Sequence, residues 1–188
     1  MKIETRSQGG MAKFHDNSDI DKLVDLFLTK GSERFLKDLL AFFQFDSKKQ
    51  AKVEQGFAIL DKIYSRNLKT KERICYDSMK KYLLNIYKSK DADNLRGAFL
   101  EVLIMRNARK KYSPEECHNN CFIIIDEWKS HKTVDVFILC EKQEGIIYEC
   151  KISVGDFDKS VISNLKEINN KSDNNFQAFF VTLSTKVI

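Results

Sequence analysis

The chain has 188 residues, a formal net charge of +5, 43% hydrophobic residues and 31% charged residues. Such a composition fits an ordinary globular protein and excludes a disordered or membrane-embedded chain. The opening MKIETRSQGG lacks the apolar core of a secretory signal, and no apolar run approaches the roughly 18 residues of a membrane span. An intracellular protein, cytoplasmic or nucleoid-associated and without a membrane partner, is therefore expected.

Five cysteines, Cys75, Cys117, Cys121, Cys140 and Cys150, form an odd, scattered set. In such a chain they are expected to be free thiols. Charge divides unevenly at Lys90. Residues 1–90 carry 19 Lys/Arg against 12 Asp/Glu, and residues 91–188 carry 13 against 15. A basic first half beside a carboxylate-bearing second half suits a polyanionic ligand, although solvated helix faces explain the same charges equally well.

In chain order, residues 1–17 read as a leader, flexible or foreign to the fold, with Gly9-Gly10 inside it. Residues 18–90 read as a basic helical bundle. Ile20, Leu23, Val24, Phe27 and Leu28 form one helical stripe, and Phe35, Leu36, Leu39, Leu40 and Phe43 a second. Ser18 and Ser32 are the expected N-caps of these two helices. Ser47 with Gln50 suggests a capping box for a third, carrying Phe57, Leu60 and Ile63. A fourth follows Thr70, with Ile74, Met79, Leu83 and Ile86 on one face. The aromatics in these stripes fall at core spacing and are expected to be buried.

Residues 91–188 change texture. Leu95 to Arg109 continues as a helix; Cys121–Ile125, Thr133–Cys140 and Ile146–Ile152 read as strands. Phe157 to Ile168 is a helix again, and Ala178–Leu183 a last strand. The fold class is accordingly α/β, with a helix, three strands, a helix and a strand following an all-helical region.

Within the apolar strands three charges stand out: Asp135, Glu149 and Lys151. An unpaired buried charge costs several kcal/mol, so charges at such positions are usually paired with each other or with a metal. Glu149 and Lys151 are two residues apart and share a face. If Glu141–Gln143 form a three-residue hairpin loop, Asp135 lies directly opposite Glu149, with Cβ atoms roughly 5 Å apart. Two carboxylates beside a lysine suit Mg2+ or Mn2+. Such an ion would neutralise a scissile phosphate and lower the pKa of a bound water, while Lys151 would orient that water or stabilise developing charge.

These residues resemble the signature of the restriction-endonuclease-like, or PD-(D/E)XK, nuclease superfamily. The pattern is Asp135 in one strand, Glu149-Cys150-Lys151 in the next, and Glu101 in the preceding helix within Gly97-Ala98-Phe99-Leu100-Glu101. Val134 stands where the family's name has proline. The resemblance covers about Asp91 to Leu183 and implies an αβββαβ core with a mixed central sheet. It also implies a metal-dependent nuclease, expected to be an endonuclease, acting on DNA or RNA. By the same resemblance the backbone carbonyl of Cys150 and the side chain of Glu101 join Asp135 and Glu149 as metal ligands. The helix after the motif lines the substrate groove in this family, which makes Lys159, Asn164 and Lys166 candidates for phosphate contact. Arg96 is a further candidate.

Two weaker patterns are set lower. Cys117-His118-x-x-Cys121 has no second ligand pair and reads as plain thiols beside a surface histidine. Arg106, Arg109, Lys110 and Lys111 complement the helix C-terminus at least as well as they would meet phosphate. A catalytically silent nucleic-acid-binding or protein-interaction module on the same fold is the alternative reading, and a homodimer or larger assembly is left open.

Overall fold

The computed structural model describes residues 1–8, 12–28, 33–45, 49–64, 67–152 and 158–183. It divides into two compact units: Phe14–Phe99 with Leu183 at the far end of the chain, and Met1–Lys13 with Leu100–Thr182. Among the described residues there are seven α-helices and one mixed six-stranded sheet. No helix there is long and apolar enough to cross a membrane.

The first unit contains α2 (Ser18–Leu28), α3 (Glu33–Phe42), α4 (Gln50–Tyr64), α5 (Thr70–Lys88) and the start of α6 (Ala92–Ala108); the short α1 (Ala12–His15) precedes them. The helical stripes bury as expected. Ile20, Leu23, Val24, Phe35, Leu39, Phe43, Phe57, Met79, Leu83 and Ile86 are all in the core. The aromatics pack on one another: Phe43 stacks on Phe99 with centroids 4.3 Å apart, and Phe35 meets Tyr76 edge-on at 5.6 Å.

Several local expectations give way. Asn17, not Ser18, caps α2, its Oδ1 accepting from the backbone N–H groups of Asp19 and Ile20 at 3.0 and 3.2 Å. Ser32 and Ser47 lie outside the described residues. Ile63 and Ile74, placed on buried stripes by their spacing, are 50% and 62% exposed. Arg96 is buried, its guanidinium donating to the carbonyl of Phe43 (Nε, 3.0 Å) and to Asp93 (Nη1, 2.8 Å). The expected phosphate contact is therefore replaced by a structural tie between α6 and the end of α3.

The second unit is a sheet covered on both faces. Its strands are β1 (Ile3–Ser7), β2 (Cys117–Ile125), β3 (Trp128–Lys129), β4 (Val134–Leu139), β5 (Gly145–Lys151) and β6 (Phe176–Thr182). They lie in the order β1-β2-β4-β5-β6, with β3 paired to β2. All pairings are antiparallel except β5 with β6, which α7 (Lys159–Lys171) joins as a crossover helix. On one face Phe137 and Ile147 pack with Leu165 and Ile168 of α7. On the other Val136 and Ile138 pack with Met105 and Ala108 of α6.

The leader set outside the fold in fact supplies an edge strand. Ile3 pairs with Ile125 and Ser7 with Cys121, and Ile3 packs against the core on the α7 face. Strand β2 also begins four residues earlier than its apolar run, taking in Cys117-His118-Asn119-Asn120. Strand β4 pairs with Cys117, His118 and Asn119 and supplies the hydrogen bonds that these polar residues alone do not forecast. His118 bonds to Thr5 Oγ1 through Nδ1 at 3.1 Å and stacks on Phe137, so it is not a surface histidine. All five cysteines are free thiols.

The β4–β5 turn sets the geometry of the site. Glu141–Gln143 form a single 3-10 turn, and the strands pair Leu139 with Gly145 through Val136 with Tyr148. Continuing that register brings Asp135 opposite Glu149, as the three-residue loop predicts. Gly145 sits where this hairpin meets the core. A Cβ built there would fall 2.7 Å from both the Phe137 and the Phe176 rings, and both rings are buried. Gly145→Ala should therefore destabilise the protein by about 1–3 kcal/mol, read as a lower urea midpoint. An unchanged midpoint would show that the two rings can part without cost.

Candidate active site

Asp135 and Glu149 come together at the end of the sheet where β4 begins and β5 finishes. Asp135 Oδ2 accepts from the backbone N–H of Cys150 at 2.6 Å and from Lys151 Nζ at 3.1 Å. Lys151 Nζ also lies 3.5 Å from Glu149 Oε2, so one ammonium serves both carboxylates. The sheet is distorted here. Val136 belongs to the α6 side of the core, yet Val134, two residues before it, belongs to the α7 side. On β2, across from Asp135, Asn120 adopts a left-handed backbone (φ 41°). Asparagine tolerates that conformation better than most residues. Both strands shift their faces where the carboxylates converge, which frees Asp135 to bind an N–H of β5.

Burial sets the electrostatics. Glu149 is only 3% exposed, and its carboxyl pKa is pushed up to about 8, chiefly by burial and then by the neighbouring Asp135, with Lys151 pulling the other way. Burial works against the Lys151 charge, but Asp135 and Glu149 outweigh it and its pKa is raised. The Cys150 thiol is pushed well up by burial and by the carboxylates of Asp135, Glu101 and Glu149, so it is a poor nucleophile. Glu101, on α6, is buried at 7% exposure, and its charge is felt at both Cys150 and Lys151.

These groups open onto a cleft of about 360 Å3 lined by Gln8, Phe122, His131, Lys132, Thr133, Asp135, Glu149, Lys151 and Val161. Of the residues singled out by spacing, Asp135, Glu149 and Lys151 line this cleft together. Lys159 and Lys166 lie exposed on α7. Asn164 does not face a ligand: it is buried and clasps Lys132, accepting from its N–H at 3.1 Å and donating to its carbonyl at 3.4 Å. Gln8, Phe122, His131 and Lys132 were missed. Their only sequence signal is that His131-Lys132 closely precede Asp135; Gln8 belongs to the segment set aside as a leader.

The donor set at this point is made of oxygen. Two carboxylates converge there and fit a hard divalent cation, which takes oxygen ligands and keeps several waters. Among the described residues, no group of three or more His, Cys, Asp or Glu side chains is arranged to hold a metal. The fit therefore rests on the Asp135–Glu149 pair, with water or substrate oxygens completing the shell.

The raised Glu149 pKa makes stability depend on pH. In the unfolded chain the carboxyl ionises near its ordinary 4.5, while in the folded protein it holds its proton to about 8. Its contribution is thus complete below pH 4.5, lost progressively as pH rises, and exhausted above about 8. Compared with Glu149→Gln, the wild type should lose stability on the order of a few kcal/mol between pH 5 and 8, with the gap constant above. Urea unfolding of both proteins across pH 5–9 checks this; parallel profiles would rule out a buried, protonated Glu149.

Compared with protein-family models and with curated proteins, the sequence matches none.

Proposed function

We propose that this protein is a metal-dependent nuclease that hydrolyses phosphodiester bonds of DNA or RNA, built on a restriction-endonuclease-like core. The observation that carries the proposal is the convergence of Asp135 and Glu149 on Lys151 at adjacent strand ends, with Glu149 almost wholly out of water. The chain order α6, β2, β4, β5, α7, β6 supports it, because it follows the αβββαβ order of that core with β3 as a two-residue addition.

Asp135 and Glu149 would hold Mg2+ or Mn2+, with the Cys150 carbonyl and Glu101 as further contributors. When bound, the ion supplies charge neutralisation at the phosphate and activation of water. The protein's own groups set the stage for that chemistry. The Cys150 N–H fixes the orientation of Asp135. Glu149 gives up its proton to become a ligand, so cation binding should release a proton below pH 8. Lys151 places a positive charge beside both carboxylates, where it can hold the attacking water or meet charge developing on phosphate.

Asp135→Asn and Lys151→Ala should each reduce Mn2+-dependent cleavage of labelled DNA or RNA at least a hundredfold while leaving far-UV circular dichroism unchanged. Retained cleavage in both purified variants would refute the assignment. Isothermal calorimetry with Mn2+ separates the alternative. A silent binding module on this fold has no reason to take up the ion at this face, whereas a nuclease should bind it and lose that binding in Asp135→Asn.

A further inference from the structure

The walls of the cleft, as distinct from its floor, carry a second pattern. Phe122, on β2, is half-buried and lines the cleft beside the carboxylates. Lys129, on β3, holds its ammonium over the Phe122 ring, 3.7 Å from the centroid. Arg6, on β1, is the direct cross-strand partner of Phe122 and is exposed on the same face. His131 is also exposed along the cleft, with Trp128 edge-on to its ring at 6.4 Å. Lys132 completes the wall, its amine bonded to Ser160. Phe122 thus stands beside the cations Arg6 and Lys129, with Lys132 and Lys151 lining the same cleft.

We infer that the cleft receives a single-stranded nucleic acid, with an unstacked base lying on Phe122 while its phosphate faces Lys132 and Lys151. The inference rests on the nuclease reading for the polymer being a nucleic acid, and it adds which form is taken. Bases in a duplex are stacked and paired, so a ring beside the scissile phosphate has no face to meet there. In a single strand every base offers a π-face, and stacking platforms interleaved with cations are the usual means of holding it. Cation–π contact from Lys129 holds the Phe122 ring in place and adds positive charge next to the incoming base.

Binding is measurable without cleavage. Fluorescence anisotropy in EDTA, with a fluorescein-labelled 12-nucleotide DNA, the same sequence as RNA, and the corresponding DNA duplex, compares the forms directly. Single strands should bind at least tenfold tighter than duplex, and the DNA and RNA arms decide between the two sugars. Phe122→Leu should weaken single-strand binding about tenfold and leave duplex binding unchanged. The substitutions Lys129→Ala and Arg6→Ala, at exposed positions, should lower single-strand affinity and flatten its salt dependence. Duplex binding as tight as single-strand binding, or single-strand affinity indifferent to all three substitutions, would overturn the inference.

The two proposals fail separately. Phe122-dependent single-strand binding without Mn2+-dependent cleavage supports this inference and removes the nuclease assignment. Cleavage of duplex that ignores Phe122 keeps the nuclease and removes the single-strand reading.

Discussion

Glu149 is a carboxyl group held out of water next to another carboxyl group, and the arrangement around it follows from that constraint. The residue lies in β5, within a sheet that α6 covers on one face and α7 on the other, and is 3% exposed. Two neighbouring anions in such a place are unstable without a counter-charge or a proton. The protein uses both, a lysine within reach of each carboxylate and a Glu149 pKa near neutrality. Asp135 differs in that its extra partner is a backbone N–H, a donor that cannot move away. The pair is therefore asymmetric: one member is fixed in direction, and the other is adjustable in charge.

The parts of this site that follow from local rules could be read from the sequence. A three-residue turn sets antiparallel register, and register sets which side chains oppose one another. Asp135 and Glu149 could thus be paired from the length of the Glu141–Gln143 turn. Period-2 alternation placed Lys151 with Glu149 in the same way. Helical spacing likewise identified the aromatic core of Phe35, Phe43 and Phe57.

What could not be read depends on neighbours distant in the chain. The first four residues of β2 carry little strand preference and are extended because β4 pairs with three of them. β1 is five residues long, too short for its pattern to stand out, and is recognisable only by its partner. The cleft wall joins Gln8, Phe122 and His131, which only the paths of β1, β2 and the loop before β4 bring together. Charge was misleading in a related way. A count of basic residues cannot distinguish Arg96, spent on the Phe43 carbonyl, or Lys80, paired with Asp61 at 2.5 Å, from cations that face solvent.

The pairing of Ile3–Ser7 with Cys121–Ile125 has a consequence for how the chain acquires its shape. More than a hundred residues separate these strands, and the helical unit lies between them in the chain. During synthesis the first strand has no partner until residue 125 has emerged, by which time the intervening helices, whose contacts are mostly local, have had time to fold. Closing so long a loop costs only slightly more entropy than closing a shorter one, and a folded insertion shortens its effective length. Because this segment brings Gln8 to the cleft and sets Arg6 beside Phe122, that wall of the cleft is completed only when β1 docks. A nascent or truncated chain lacking that strand would hold its carboxylates in place with one side of the cleft missing.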